Sequence, residues 1–495
     1  MKKKTLQAVV IALGILSASF TVSAMEKTNV ENAVLPEITE ESVQDQDIET
    51  EETVDQVEPD VPQTNPDTLP IEPEAPETVP DNPQPEVPDE GEDSKPESGW
   101  IEDEKGWQYK DENGNLLKDG WWEIDGEKYY FDKDGYRATD WLKTENKWYY
   151  LGTDGIMRTG WQEVRGKKYY LGTDGVMQTG WQELGGKWYY LGGADDGIMR
   201  TGWQELGGKW YYLGSADDGA MRTGWQKLWG TWYYLGGAND GAMQTGWIYP
   251  GDGKWYYAYA DGAMQTGWVL TGTDDWYYAY GNGAIAINTW EKISGQWYWF
   301  DESGLMAQGW KYIGRYKYYF DKSGYMLQDL DGILGRQSSY EITVNRKRCQ
   351  VMVYAKDGSN GYIIPVKTFT CSVGLPSTPT PTGTFYTPNK YRWHTLMGPS
   401  YGQYCTRING GILFHSVAGY NKTSYNIHAR DYNKLGSPAS HGCVRLNVRD
   451  AKWIYDNCSL GTKVTISDSV ATPFDKPATI KIPASQNWDP TDPNI

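Results

Sequence analysis

The architecture is read from Gly180-Trp181-Gln182-Glu183-Leu184-Gly185-Gly186-Lys187-Trp188-Tyr189-Tyr190-Leu191. Two short apolar-aromatic segments flank a Gly-Gly pair, and that pattern predicts a tight β-hairpin. Sister segments add a second turn signal, such as Asp154-Gly155, and a Met-x-Thr-Gly-Trp link then leads into the next copy. A Trp after Gly, Asp or Thr recurs at Trp100, Trp121, Trp141, Trp161, Trp181, Trp203, Trp225, Trp247, Trp268, Trp290 and Trp310. The spacing is 20 to 22 residues, giving about eleven units between residues 99 and 328. A lone hairpin cannot bury its own apolar face, so the units are expected to stack into a solenoid.

The chain has 495 residues, more than one compact core needs, so several modules are expected. It carries 25 Trp and 38 Tyr but only 8 Phe. A core built for burial alone would use more Phe, Leu and Ile, so ring faces are expected to stay open for ligands. Side chains alternate along a strand, which places Trp188 and Tyr190 on one face. With a Gly-Trp ring from a neighbouring unit they predict an open aromatic box. Such boxes hold quaternary ammonium groups at roughly 0.5–2 kcal/mol per ring, and flat rings also stack on sugars. The alternative is that these rings are internal packing of the solenoid.

The pattern G-W-x(n)-W-Y-Y-L-x-x-D-G-x-M-x-T-G-W resembles the choline-binding, or cell-wall-binding, repeat family. The resemblance implies docking onto teichoic-acid choline or another wall polysaccharide. On matching positions the ligand-binding rings would be Trp181, Trp188, Tyr190 and Trp203, with Trp210, Tyr212 and Trp225 in the next units. Some units lack the Trp of the triplet, as in Lys168-Tyr169-Tyr170.

Net charge is −20. About 24 acidic and two basic residues lie between Glu26 and Ser98, so this segment holds the whole excess. The remainder is near neutral without a basic stripe, which argues against nucleic acid. Residues 25–98 are proline-rich and poor in apolar surface, and are expected to be disordered. Ahead of them, Met1-Lys2-Lys3-Lys4, an apolar run from Leu6 to Phe20 and Val22-Ser23-Ala24 form a secretory signal pattern over 1–24. An uncleaved N-terminal membrane anchor is the alternative. Either way the protein is expected at the cell wall or surface of a Gram-positive-type bacterium.

The aromatic rhythm stops near Gln328. Alternating segments Tyr340–Asn345 and Cys349–Tyr354, a short helix over Val448–Asn457 and a closing strand at Lys463–Ile466 predict a mostly β domain at 337–468, followed by a tail, 469–495. The chain is therefore expected to be mainly β: a hairpin solenoid, then a β-rich C-terminal domain. Chemistry concentrates at Ser440-His441-Gly442-Cys443-Val444-Arg445-Leu446. A thiol is a good nucleophile as thiolate, which needs a base or a positive field nearby. All four histidines, His394, His415, His428 and His441, fall in this domain. Gly442 would let the backbone approach an acyl group, and an amide here could serve an oxyanion.

Ser-His-Gly-Cys followed by Val-Arg-Leu resembles the signature of the L,D-transpeptidase catalytic domain. Thr380-Pro381-Thr382-Gly383-Thr384-Phe385, Phe414-His415-Ser416, Asp450-Ala451-Lys452-Trp453 and Gly461-Thr462-Lys463-Val464 fit its other segments. The resemblance implies Cys443 as nucleophile and His415 as general base, with the Ser416 carbonyl holding the other ring nitrogen and Gly442 in the catalytic turn. Ser440 and His441 would shape that turn, and Arg445 would line a substrate site. It further implies attack on the third residue of a peptidoglycan tetrapeptide stem, release of D-alanine and a 3→3 cross-link, without metal or organic cofactor. Water as acceptor would make the enzyme an L,D-carboxypeptidase. The interval from His415 to Ser440 is longer than in compact family members and contains His428.

No Cys-x-x-Cys pair occurs, which argues against a zinc or thioredoxin-type site. Cys349, Cys371, Cys405 and Cys458 allow three disulfide pairings or four buried thiols. Two other classes stand against the enzyme reading: an inactive wall-binding protein, and a papain-like peptidase, in which Cys would precede His.

Overall fold

A computed structural model describes residues 97–272 and 274–495. The signal expected at 1–24 and nearly all of the acidic segment expected at 25–98 lie outside these residues.

Eleven two-stranded antiparallel sheets run from Gly99–Asp103 paired with Gly106–Lys110 to Gly309–Ile313 paired with Tyr316–Phe320. In the hairpin Gly180–Leu184/Lys187–Leu191, Tyr190 lies opposite Trp181 and Lys187 opposite Leu184. Gly185 and Gly186 remain as a two-residue loop with φ of 60° and 73°, the left-handed pair that a type I′ turn requires. After the first hairpin, which ends at the half-buried Lys110, the residue that ends each hairpin points inward: Leu151, Leu171, Leu191, Leu213 and Leu235 are wholly buried, as are Phe131 and Phe300. Each such burial contributes on the order of 2 kcal/mol. Backbone bonds tie units together: Met199 N–H donates to the Lys168 carbonyl, Met221 to Trp188 and Met243 to Trp210, each at 2.8 Å.

The described chain divides into two compact units, one ending at Ala307 and one beginning at Gln308. The division falls one hairpin before the repeats end. Within the second unit the Gly309–Phe320 hairpin packs on the C-terminal domain. Tyr316 stacks on Tyr354 at 5.7 Å, Lys317 N–H donates to the Ile363 carbonyl at 3.0 Å, and Lys317 Nζ pairs with Asp357 at 2.9 Å.

The C-terminal domain holds two sheets. The five-stranded one runs in the order Ile364–Thr370, Gln350–Ala355, Tyr340–Asn345, Lys463–Ser467, Gly383–Tyr386. Its core-facing residues include Ile342, Val344, Val351, Val353, Phe369 and Val464. The four-stranded one runs Lys390–Thr395, Tyr401–Asn409, Ile412–Ser416, Val444–Leu446, and its last pair is parallel. The helix Val448–Asn457 packs against the Tyr401–Asn409 and Ile412–Ser416 strands. Asn447 caps it by accepting from Asp450 N–H at 2.8 Å, and Val448, Ala451 and Ile454 form its buried stripe.

Residues 469–495 do not trail away as a tail. Phe474 and Ile482 are buried, and Asp489 accepts from Val448 N–H at 2.7 Å.

Candidate functional site

The parallel pairing of Phe414, His415 and Ser416 with Val444, Arg445 and Leu446 carries Cys443 to the start of the His415 strand. Ser440 is buried and builds the turn before it. Its Oγ donates to the Cys443 carbonyl at 2.5 Å and accepts from Gly442 N–H at 3.2 Å. Its own N–H donates to the Val373 carbonyl at 3.0 Å, and Thr378 Oγ1 donates to its carbonyl at 3.3 Å. Arg445 is tied to Ser372 by two backbone bonds of 2.8 Å.

Gly442 has φ 112°, and a Cβ there would stand 2.8 Å from Ile412 Cδ1. The left-handed φ calls for glycine, while the Ile412 methyl is the end of a side chain that can move aside. Its N–H is committed to Ser440 Oγ. Among the described residues the Cys443 amide donates to no protein acceptor, so Cys443 itself supplies the amide available to an oxyanion.

The Cys443 thiol is partly exposed and points at the Gly411 carbonyl, 3.5 Å away. Burial pushes its pKa up, against the Leu413 N–H and the positive charges of Arg445 and Arg407. His415 is 2% exposed, and its Nδ1–H donates to the Ser416 carbonyl at 2.6 Å. Burial lowers its pKa to about 4, helped by Arg445 and His394 and opposed by the bond to Ser416. At neutral pH Cys443 therefore rests as a thiol and His415 as a neutral imidazole, with Nε2 left as the basic nitrogen. Gly402 backs the ring: a Cβ there would lie 3.0 Å from His415 Cβ and 3.1 Å from Cys405 Sγ.

Arg445 is half-buried, and its Nε has no hydrogen-bond partner among the described residues. His441 is exposed. His428 is exposed and bonds to the Tyr420 hydroxyl, and His394 stacks on Tyr391 at 4.5 Å. All five cysteines are free. Gly402, Gly411 and Leu413 were not singled out from sequence. They reach the site through strand pairing, for which no local pattern stands.

In the repeats the structure rearranges the predicted box. The Gly-Trp ring beside Trp188 (6.4 Å) and Tyr190 (5.3 Å) is Trp181 of the same hairpin. The ring from the neighbouring unit is the middle residue of its triplet, Tyr211, at 5.0 Å from Trp181, rather than Trp203. Two-residue alternation turns Tyr211 to the opposite face of its own hairpin and so towards the previous one. One unit on, Trp203 meets Trp210, Tyr212 and Tyr233, and Trp225 meets Trp232, Tyr234 and Tyr256. A cleft of about 320 Å³ is lined by Trp203, Trp210, Tyr233, Met243, Ala260 and Asp261. Tyr212 lies outside that lining.

Residues 339–466 match the L,D-transpeptidase catalytic domain. Residues 118–157, 158–201, 200–247 and 289–329 match the choline-binding repeat, and 245–264 and 266–285 match the "Putative cell wall binding repeat". The Bacillus subtilis (strain 168) protein named "Putative L,D-transpeptidase YciB" is 38% identical over 139 residues, which cover 27% of this chain and 68% of that protein. "L,D-transpeptidase 1" of Mycobacterium tuberculosis H37Rv is 27% identical over 121 residues, covering 22% of this chain and 43% of that protein. Among solved structures, CbpJ from Streptococcus pneumoniae TIGR4 shares 29% identity over 48% of this chain and 97% of its own, with a TM-score of 0.37.

Proposed function

The chain belongs to the L,D-transpeptidase family through its C-terminal domain, and on that premise we propose that it is a wall-attached enzyme that forms 3→3 peptidoglycan cross-links through Cys443. The observation that carries the reading is the pairing of the Cys443 turn with the His415 strand, with His415 held neutral and its Nδ1–H fixed on Ser416.

The chemistry follows from that state. His415 Nε2 takes the thiol proton as Sγ attacks the carbonyl of the third stem residue. The Cys443 N–H receives the oxyanion. The peptide C–N bond then breaks, and D-alanine leaves with the proton from His415. The thioester meets the side-chain amine of a second stem, whose proton passes through His415 back to the Cys443 sulfur. Positive charge from Arg445 and Arg407 favours the thiolate as it forms.

The repeats dock the enzyme on the wall. Perpendicular rings and the carboxylate of Asp261 around the Trp203 cleft suit a quaternary ammonium group such as teichoic-acid choline. Wall docking places the protein at the cell surface.

The test is incubation of the full chain with disaccharide-tetrapeptide, read by mass. A dimer lacking one D-alanine, abolished by Cys443→Ala while wall binding persists, is expected. Tripeptide alone would assign an L,D-carboxypeptidase. Product formation that survives Cys443→Ala would sink the catalytic assignment.

A further inference from the structure

Residues 469–495 lie beyond the stretch that matches the transpeptidase domain. They nevertheless end against the strand that backs the imidazole. Asp492 is 6% exposed. Its Oδ2 accepts from Gln403 Nε2 at 2.9 Å, and its Oδ1 accepts from Asn494 N–H at 2.9 Å and Nδ2 at 2.6 Å. Burial works against the charge, but bonds from Gln403, the Asn494 amide and Ser424 hold the carboxyl below its ordinary range. Gln403 is 3% exposed, and its Oε1 accepts from Arg392 Nη1 at 3.0 Å. Both ends of this buried amide are thus satisfied. Its backbone N–H donates to Ser416 Oγ at 2.9 Å, and Ser416 is the residue whose carbonyl holds His415. A Cβ on the neighbouring Gly402 would stand 3.0 Å from His415 Cβ and 3.1 Å from its Nδ1, so the imidazole would have to shift by a few tenths of an ångström to admit it. Movement of the 402–403 backbone is therefore felt by the ring.

We infer that Asp492 is a positioning residue for the Cys443 reaction: its carboxylate locks Gln403, and Gln403 sets Ser416 and with it the tilt and tautomer of His415. The inference rests on the reaction proposed above. Without the carboxylate, Gln403 Nε2 is a buried donor with no partner, and the strand relaxes to satisfy it.

The experiment compares full-length Asp492→Ala, Asp492→Asn and Gln403→Asn with wild type on disaccharide-tetrapeptide. Gln403→Asn is one methylene too short to reach Asp492. Asp492→Ala and Gln403→Asn should lower kcat roughly 10- to 100-fold with KM within about twofold, the size expected for misplacing a reacting group by up to about 1 Å. Asp492→Asn can still accept from Gln403 through its side-chain carbonyl, but it turns its NH2 onto the Asn494 donors, so it should lose clearly less of kcat than Asp492→Ala without matching wild type. Thermal melts identify which variants fold. Wild-type kcat in folded Gln403→Asn overturns the inference, and so does a loss in Asp492→Asn as deep as in Asp492→Ala. Should Asp492→Ala not fold, the other two variants decide. A wild-type chain without product, or a Cys443→Ala chain that keeps it, instead removes the reaction itself, and the inference falls with it.

Discussion

Burial acts on Cys443 and His415 in opposite senses, raising the thiol pKa and lowering that of the imidazole. Acylation needs His415 neutral, so kcat/KM should hold well below pH 6.5 and fall only as pH drops through about 4. An acid limb near 6.5 would mean a solvated imidazole. The same shift couples to stability. The unfolded chain protonates this histidine below about 6.5 and the folded chain only near 4, so its contribution is complete above 6.5 and is lost as pH falls through that window, at about 1.4 kcal/mol per unit. Urea midpoints measured across pH 4–7 should fall less steeply for His415→Gln than for wild type. At Gly442, alanine meets both a left-handed backbone and Ile412. Gly442→Ala should cost about 1–3 kcal/mol in urea melts and abolish acylation. Adding Ile412→Val removes the contact but not the backbone strain, and should recover only part.

Hairpins set the repeats apart from ordinary β-proteins, because each leaves one aromatic face for its neighbour to finish. The Trp203 cleft takes two walls from its own hairpin and one, Tyr233, from the next. Trp203→Ala, Trp210→Ala or Tyr233→Ala should each remove one equivalent of choline bound in equilibrium dialysis. Tyr212→Ala, at a ring outside the cleft, should leave that number unchanged. Loss of an equivalent on Tyr212→Ala but not on Tyr233→Ala would reverse the assignment of the third wall.

On the scale of the whole molecule, the last hairpin belongs energetically to the C-terminal unit. Fragment 308–495 keeps the Tyr316–Tyr354 stack and the Lys317–Asp357 pair, whereas 329–495 lacks both. The shorter fragment should be less stable by at least about 2 kcal/mol in urea, counting the buried aromatic area it exposes. Equal stability would place the functional boundary where the aromatic rhythm ends.

Local signals were enough for much of this architecture. Gly-Gly between aromatic runs at 185–186 and 207–208 implied two of the hairpins, since two left-handed residues in succession suit little else, and the 20–22-residue period extended that reading to the sister units and implied stacking. The Ser-His-Gly-Cys turn marked the Cys443 thiol because the left-handed Gly442 is needed on local grounds. Partners distant in sequence could not be read this way. The cage took Tyr211 and Tyr233 rather than the next Gly-Trp ring because alternation along the strand faces them backwards, which matters only once units are stacked. Gly402, Gln403, Leu413 and Asp492 entered the site through strand register and through the return of residues 469–495, pairings set by which apolar faces are buried together. Sequence alone determined the repeating hairpin and the thiol in its turn. Tertiary structure decided what surrounds them, because burial and hydrogen-bond satisfaction depend on chain segments that no local pattern brings together.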